Sequence, residues 1–160
     1  MKKVLFLLIF LFSLNLKAQT ISSWENFTVT HPNHWNTEKC FSPMMKLVTY
    51  FENEGKQDWL LMNIKVVNTK YMNNPTIDTL LNTILSSFKD KSNYNLVKNE
   101  RIAPNIHFIE TYDESQKLTE MIKIFEYQGK FYQSLFYYED KTPKNFIEEG
   151  RVIFNTIGLK

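Results

Sequence analysis

YNLVKNERIAPNIHFIETYDESQKLTEMIKIFEYQGKFYQSLFYY, residues 94–138, holds four runs rich in β-branched and aromatic residues, each closed by a short polar segment. The runs are Tyr94–Ile102, Ile106–Tyr112, Leu118–Tyr127 and Lys130–Tyr138, and Gly129 marks the tightest turn between them. Connections this short force antiparallel neighbours, so the stretch predicts a meander of four strands.

On the N-terminal side of the meander the period changes. Ile77, Leu80, Leu81, Ile84, Leu85 and Phe88 recur at steps of three and four, which places them on one stripe of a helix. Asn74 before Pro75 predicts the start of that helix, and Lys89 and Lys91 suit its C-terminal end. Further upstream, Trp24–His31 alternates with Phe27, Val29 and His31 on one side, Met44–Phe51 and Trp59–Val67 form a hairpin around Asn53–Lys56, and Pro32 and Asn33 turn the chain. Leu60, Met62, Ile64 and Val66 make one apolar side of the third strand, while Trp59 and Leu61 share the other with Asn63 and Lys65. Beyond the meander, Thr142 and Pro143 open a second helix with Phe146, Ile147, Gly150, Ile153, Phe154 and Ile157 inward and Gly158 as its stop. A glycine on the apolar face of a helix implies close approach to the sheet, since it costs about 1 kcal/mol relative to alanine. Together the elements predict an α+β domain: a largely antiparallel β-sheet flanked by α-helices in an α/β/α sandwich.

The N-terminal segment MKKVLFLLIFLFSLNLKA has the layout of a secretory signal peptide, with Lys2 and Lys3 before an apolar run from Val4 to Leu14 and Ala18 at the expected cleavage point. The run is about 11 residues, short of the roughly 20 that cross a bilayer, so cleavage and no stable membrane anchor are expected. The single cysteine, Cys40, lies too far from the run to carry a lipid and has no partner for an intramolecular disulfide. The expectation is therefore a cleaved signal over residues 1–18, one domain over residues 19–160, and a periplasmic or secreted location. Cleavage would remove Lys2, Lys3 and Lys17 and no acid, leaving 16 basic against 17 acidic residues. A near-neutral chain with interspersed charges argues against nucleic-acid binding.

The stretch FTVTHPNHW, residues 27–35, resembles the opening of PsbP-like domains, in which an aromatic, alternating strand runs into a Pro-x-x-Trp turn, here Pro32 to Trp35. The ending is similar too: a long strand, YQSLFYYE at residues 132–139, then a helix with a short apolar tail, NFIEEGRVIFNTIGLK at residues 145–160. The resemblance implies an antiparallel sheet flanked by helices, in a superfamily that includes a photosystem II extrinsic subunit, a Ran-binding nuclear protein and bacterial envelope proteins of the DcrB-like kind. It also implies a binding or assembly module more than an enzyme, with no particular partner. Trp35 then reads as a packing residue sealing the sheet end against a helix.

Local chemistry offers few alternatives. His31 and His34 form an HxxH pair with Glu38 and Cys40 close behind, all possible zinc ligands, but Pro32 between the histidines forces a strand end where a metal-binding helix would be needed. No GxSxG elbow or phosphate-binding glycine pattern occurs. Cys40 with His107 could form a thiol pair, and Glu110, Asp113, Glu114, Glu120 and Glu126 could seat two acids across a groove. No cofactor is expected. The positive clue is aromatic: Phe131, Tyr132, Phe136, Tyr137 and Tyr138 crowd one strand, and alternation prevents them all from facing one core. Tyr132, Tyr137, Tyr138 and Trp35 are thus the candidate contacts for a protein partner or a small apolar ligand, unless helices cover both faces of the sheet. Two function classes stay open: a non-catalytic exported binding module, and a small hydrolase or metal-dependent enzyme using His31, His34 or Cys40.

Overall fold

The computed structural model describes residues 19–24, 27–39, 44–53, 55–89 and 91–159. The expected signal segment and Cys40 lie outside these. Among the described residues, two antiparallel sheets and two helices form an α+β architecture. A small sheet has the order β1-β2-β10, from Gln19–Trp24, Phe27–Pro32 and Gly158–Leu159. The large sheet has the order β3-β4-β5-β9-β8-β7-β6, from Asn36–Lys39, Met44–Asn53, Lys56–Val66, Lys130–Glu139, Leu118–Tyr127, Ile106–Asp113 and Tyr94–Ala103. Helix α1, Ile77–Lys89, crosses from β5 to the far edge, and the chain then returns strand by strand until β9 lies against β5; helix α2, Lys144–Thr156, follows.

Alternation along the central strands feeds two cores. On one face Leu60, Met62, Ile64, Met121, Phe125, Tyr132 and Phe136 pack under α2 and the small sheet, which contributes Phe27 and Val29. On the opposite face Ile109, Ile122, Ile124 and Phe131 pack under Ile77 and Leu80 of α1. Each helix follows its apolar stripe, and the expected α/β/α layering is what the stripes produce.

Local chemistry explains where the boundaries fall. Gln128 and Gly129 both have positive φ, 52° and 73°, which makes the two-residue turn between Tyr127 and Lys130 match the twist of its strands. Asn74 does not cap α1: its φ of 49° is left-handed, and Thr76 serves as cap, its Oγ1 accepting from Thr79 N at 3.1 Å while Thr79 Oγ1 accepts from Thr76 N at 2.8 Å. The single strand expected over Trp24–His31 is two strands, since Trp24 pairs back onto Phe27. β3 and β10 are additional short strands, and Gly158 pairs with Thr28 directly after the helix it was expected to stop.

Gly150 sits on α2 directly over Phe136. A Cβ there would clash with the tip of the buried ring, meeting its Cζ first, with Cε2 at 2.9 Å and Cε1 at 3.0 Å. Gly150→Ala is therefore expected to lose about 1–3 kcal/mol of stability in urea denaturation, although alanine favours helix by about 1 kcal/mol.

Lys123, on the same face, is buried and donates from Nζ to the Phe154 carbonyl at 2.7 Å, near the end of α2. Burial pushes its ammonium down from 10.5 to about 8. Between those two pH values the unfolded chain holds a proton that the native chain has released, so this residue makes stability rise with pH across that window. Lys123→Met removes the effect: denaturation midpoints of wild type should gain on those of the variant from pH 8 to 10, and parallel curves would show that Lys123 does not titrate there.

Candidate functional site

The residues singled out from the sequence fall mostly into the interior. Trp35 is 1% exposed, and its Nε1 donates to Glu149 Oε2 of α2 at 3.0 Å. His34 Nε2 lies 2.7 Å from the same oxygen. The Pro-x-x-Trp turn is thereby tied to α2 through one carboxylate, the packing role expected of Trp35. His31, also buried, faces the other way: its Nδ1 lies 3.0 Å from the Pro32 carbonyl and its Nε2 2.8 Å from Ser22 Oγ. A carbonyl can only accept, so in the neutral ring Nδ1 carries the proton and Nε2 accepts from the serine, leaving no lone pair for a metal. The two histidines thus serve different elements, and among the described residues no group of three or more His, Cys, Asp or Glu is placed to hold a metal ion.

Tyr132 and Tyr138 do not form an outward patch. They are 0% and 8% exposed because β9 is an inner strand whose even-numbered side lies under α2. The Tyr138 hydroxyl accepts from Arg151 of α2, whose Nη2 also donates to Glu110 Oε1, each at 2.5 Å. The carboxylates are likewise dispersed. Glu110 pairs in register with Met121 on the α2 face, whereas Glu120 pairs with Thr111 on the other. Asp113 is spent on its own turn, accepting from Ser115 N, Ser115 Oγ and Gln116 N, which hold its carboxyl below the usual range.

Tyr137 is different. It lies on the face that carries α1, but α1 packs chiefly on β7 and β8 and leaves this side of β4 and β5 uncovered at Tyr50 and Trp59. There Tyr50 of β4 and Trp59 of β5 stand directly opposite each other and are 50% and 49% exposed. Trp59 meets Tyr137 edge to face at 6.3 Å between ring centroids. Leu61, two residues on from Trp59, pairs with Val48 on one side and Tyr137 on the other, so the period of two puts all these side chains on one surface. The result is an aromatic ledge along the uncovered half of the sheet. A cleft of about 210 Å³ opens at its end between Asp58, Trp59, Tyr137, Glu139 and Lys141.

The inner boundary of the ledge is Glu120, opposite Tyr137 in register. Burial raises its carboxyl above the usual range, Asp113 adds to the rise, and Lys91 opposes it. The Tyr137 phenol is raised in turn, by burial and by Glu120. Nearby on β5, Asn63 Oδ1 is buried without a hydrogen-bond partner. Large rigid rings beside a few polar groups are what a recognition surface requires. The sequence carried half of this signal, since Trp59 and Leu61 share a strand side with Asn63 and Lys65. Tyr50 was missed because it joins the ledge only through pairing.

No protein-family model matches the chain, and no curated protein matches it. Solved structures do. The solution structure of cyanobacterial PsbP (CyanoP) from Synechocystis sp. PCC 6803 aligns with a TM-score of 0.59 at 7% identity, over 91% of this chain and 95% of that one. A crystal structure from Bacteroides thetaiotaomicron VPI-5482 aligns with a TM-score of 0.48 at 14% identity, over 89% of this chain and 48% of that one. The chain therefore has the PsbP-like fold that residues 27–35 and 132–160 resemble.

The shared carboxylate gives a direct test of the structural role of the turn. Glu149→Ala leaves the Trp35 indole N–H buried without this acceptor and should cost about 1–3 kcal/mol in thermal or urea denaturation. An unchanged midpoint would show that the turn is not held this way.

Proposed function

We propose that this PsbP-like chain is an exported, non-catalytic binding module that engages a protein partner through the ledge of Tyr50, Trp59, Leu61 and Tyr137. The observation that carries the reading is the uneven cover of the sheet. On one face α2 and the small sheet cover the central strands, while on the other α1 leaves two adjacent aromatic side chains of β4 and β5 half-exposed. Exposed aromatic rings on strands lose little freedom on binding, which favours them as contact residues. The dispersal of His31, His34 and the carboxylates over different elements supports binding over catalysis. Residues 1–18, with their charged start and apolar run, support export. Among the described residues no helix is long and apolar enough to cross a membrane.

The test is comparative capture. Tagged wild type, Tyr50→Ala/Trp59→Ala and Val152→Ala, an exposed change on α2, are passed over the envelope fraction of the source cells. One stoichiometric protein retained by wild type and Val152→Ala, and weakened at least about tenfold by the ledge variant, is the expected outcome. Equal retention by all three would remove the ledge from the function. Retention of a small apolar molecule, seen by native mass spectrometry and lost in the ledge variant, would assign the same surface to a ligand.

A further inference from the structure

The large sheet ends in two unequal edges: β3 has four residues and β6 has ten. From Asn95 to Ile102 every residue of β6 is exposed, including Leu96, Val97 and Ile102 at 52%, 59% and 52%. A long edge with apolar side chains is a template for another strand. Its register with β7 shifts between Leu96 and Lys98 and again between Arg101 and Ala103, so the shifts flank a regular centre, Lys98–Arg101.

We propose that this centre pairs with the same strand of a second copy, antiparallel about a two-fold axis at Asn99. Two copies of one strand lie side by side and antiparallel only when the axis runs perpendicular to the sheet. Such an axis keeps each side chain on its own face and allows only residues of like parity to meet. An axis at Lys98 sets Lys98 against itself, and one at Glu100 sets Glu100 against itself. The axis at Asn99 sets Lys98 against Glu100 of the second copy twice over, within the regular centre of the strand. Lys98 and Glu100 share the α2 face, opposite Glu110 and Phe108, and lie 2.6 Å apart within one strand, so pairing exchanges one partner for its equivalent. Arg101, the next cation, is turned to Asp78 of α1 and the Pro104 carbonyl. The complementarity is therefore of β6 with itself, which selects a second copy over a foreign strand.

Sedimentation velocity of the full chain across the micromolar range tests this. Wild type is expected to dimerise, and Lys98→Glu or Glu100→Lys alone should weaken the dimer at least about tenfold by setting like charges opposite each other. The double variant Lys98→Glu/Glu100→Lys restores opposite charges in the same register and should regain the dimer. Both side chains are about half-exposed, at 54% and 51%, so circular dichroism should be unchanged throughout. A wild type that stays monomeric, single variants without effect, or a double variant that fails to recover would each overturn the proposal.

Discussion

The pairing of β5 with β9, from Leu61 opposite Tyr137 to Val66 opposite Tyr132, holds the molecule together. Everything else in the large sheet is local: β3, β4 and β5 follow one another, as do β6 to β9. Among the described residues this is the one strand ladder that joins the two series, across a stretch of chain that contains α1 and three strands. Closing such a loop costs chain entropy before any contact repays it, so the repayment has to be large. It comes from both sides of β9 at once, since Tyr132 and Phe136 enter the core under α2 while Phe131 enters the one under α1. The Val67 N–H, donating to the Phe131 carbonyl at 2.9 Å, continues the ladder past the end of β5.

The same contact explains what the sequence could and could not reveal. The stripe from Ile77 to Phe88, the Gln128–Gly129 turn and the inward Gly150 are short-range patterns, and each is legible because its cause lies within a few residues. The burial of Tyr132 and Tyr138 is not of that kind. Alternation within β9 shows that its two sides differ in partners, but whether both are covered depends on β5 and on two helices distant in sequence. The ledge follows the same logic in reverse. Trp59 stands out on a strand side shared with Asn63 and Lys65, yet Tyr50 and Tyr137 become its neighbours only through register. The short strands β3 and β10 carry too few residues for a period, and asparagine suits both a helix cap and a left-handed turn, so residue type alone does not distinguish the two at Asn74.

The charged side chains of the interior help to seat α2. Glu149 receives Trp35, Arg151 reaches Glu110 and Tyr138, and Lys123 meets the Phe154 carbonyl, all within residues 149–154 of one helix. Apolar packing alone would tolerate rotation or sliding of a helix over a sheet. Polar contacts that must each be satisfied restrict it to one position, and the ring of Phe136 beneath Gly150 fixes its height. The helix on the other face has looser ties, chiefly the Arg101–Asp78 pair, and it is this side that leaves strands uncovered.

The brevity of β3 has a consequence for how far any sheet built from this chain could extend. A strand of four residues offers a newcomer few backbone groups and little side-chain contact. Joining two chains through their long edges therefore consumes both sites of growth at once and leaves a stub at either end. Addition to the large sheet would then terminate at a closed pair, since the short edge left at either end offers little to a third chain.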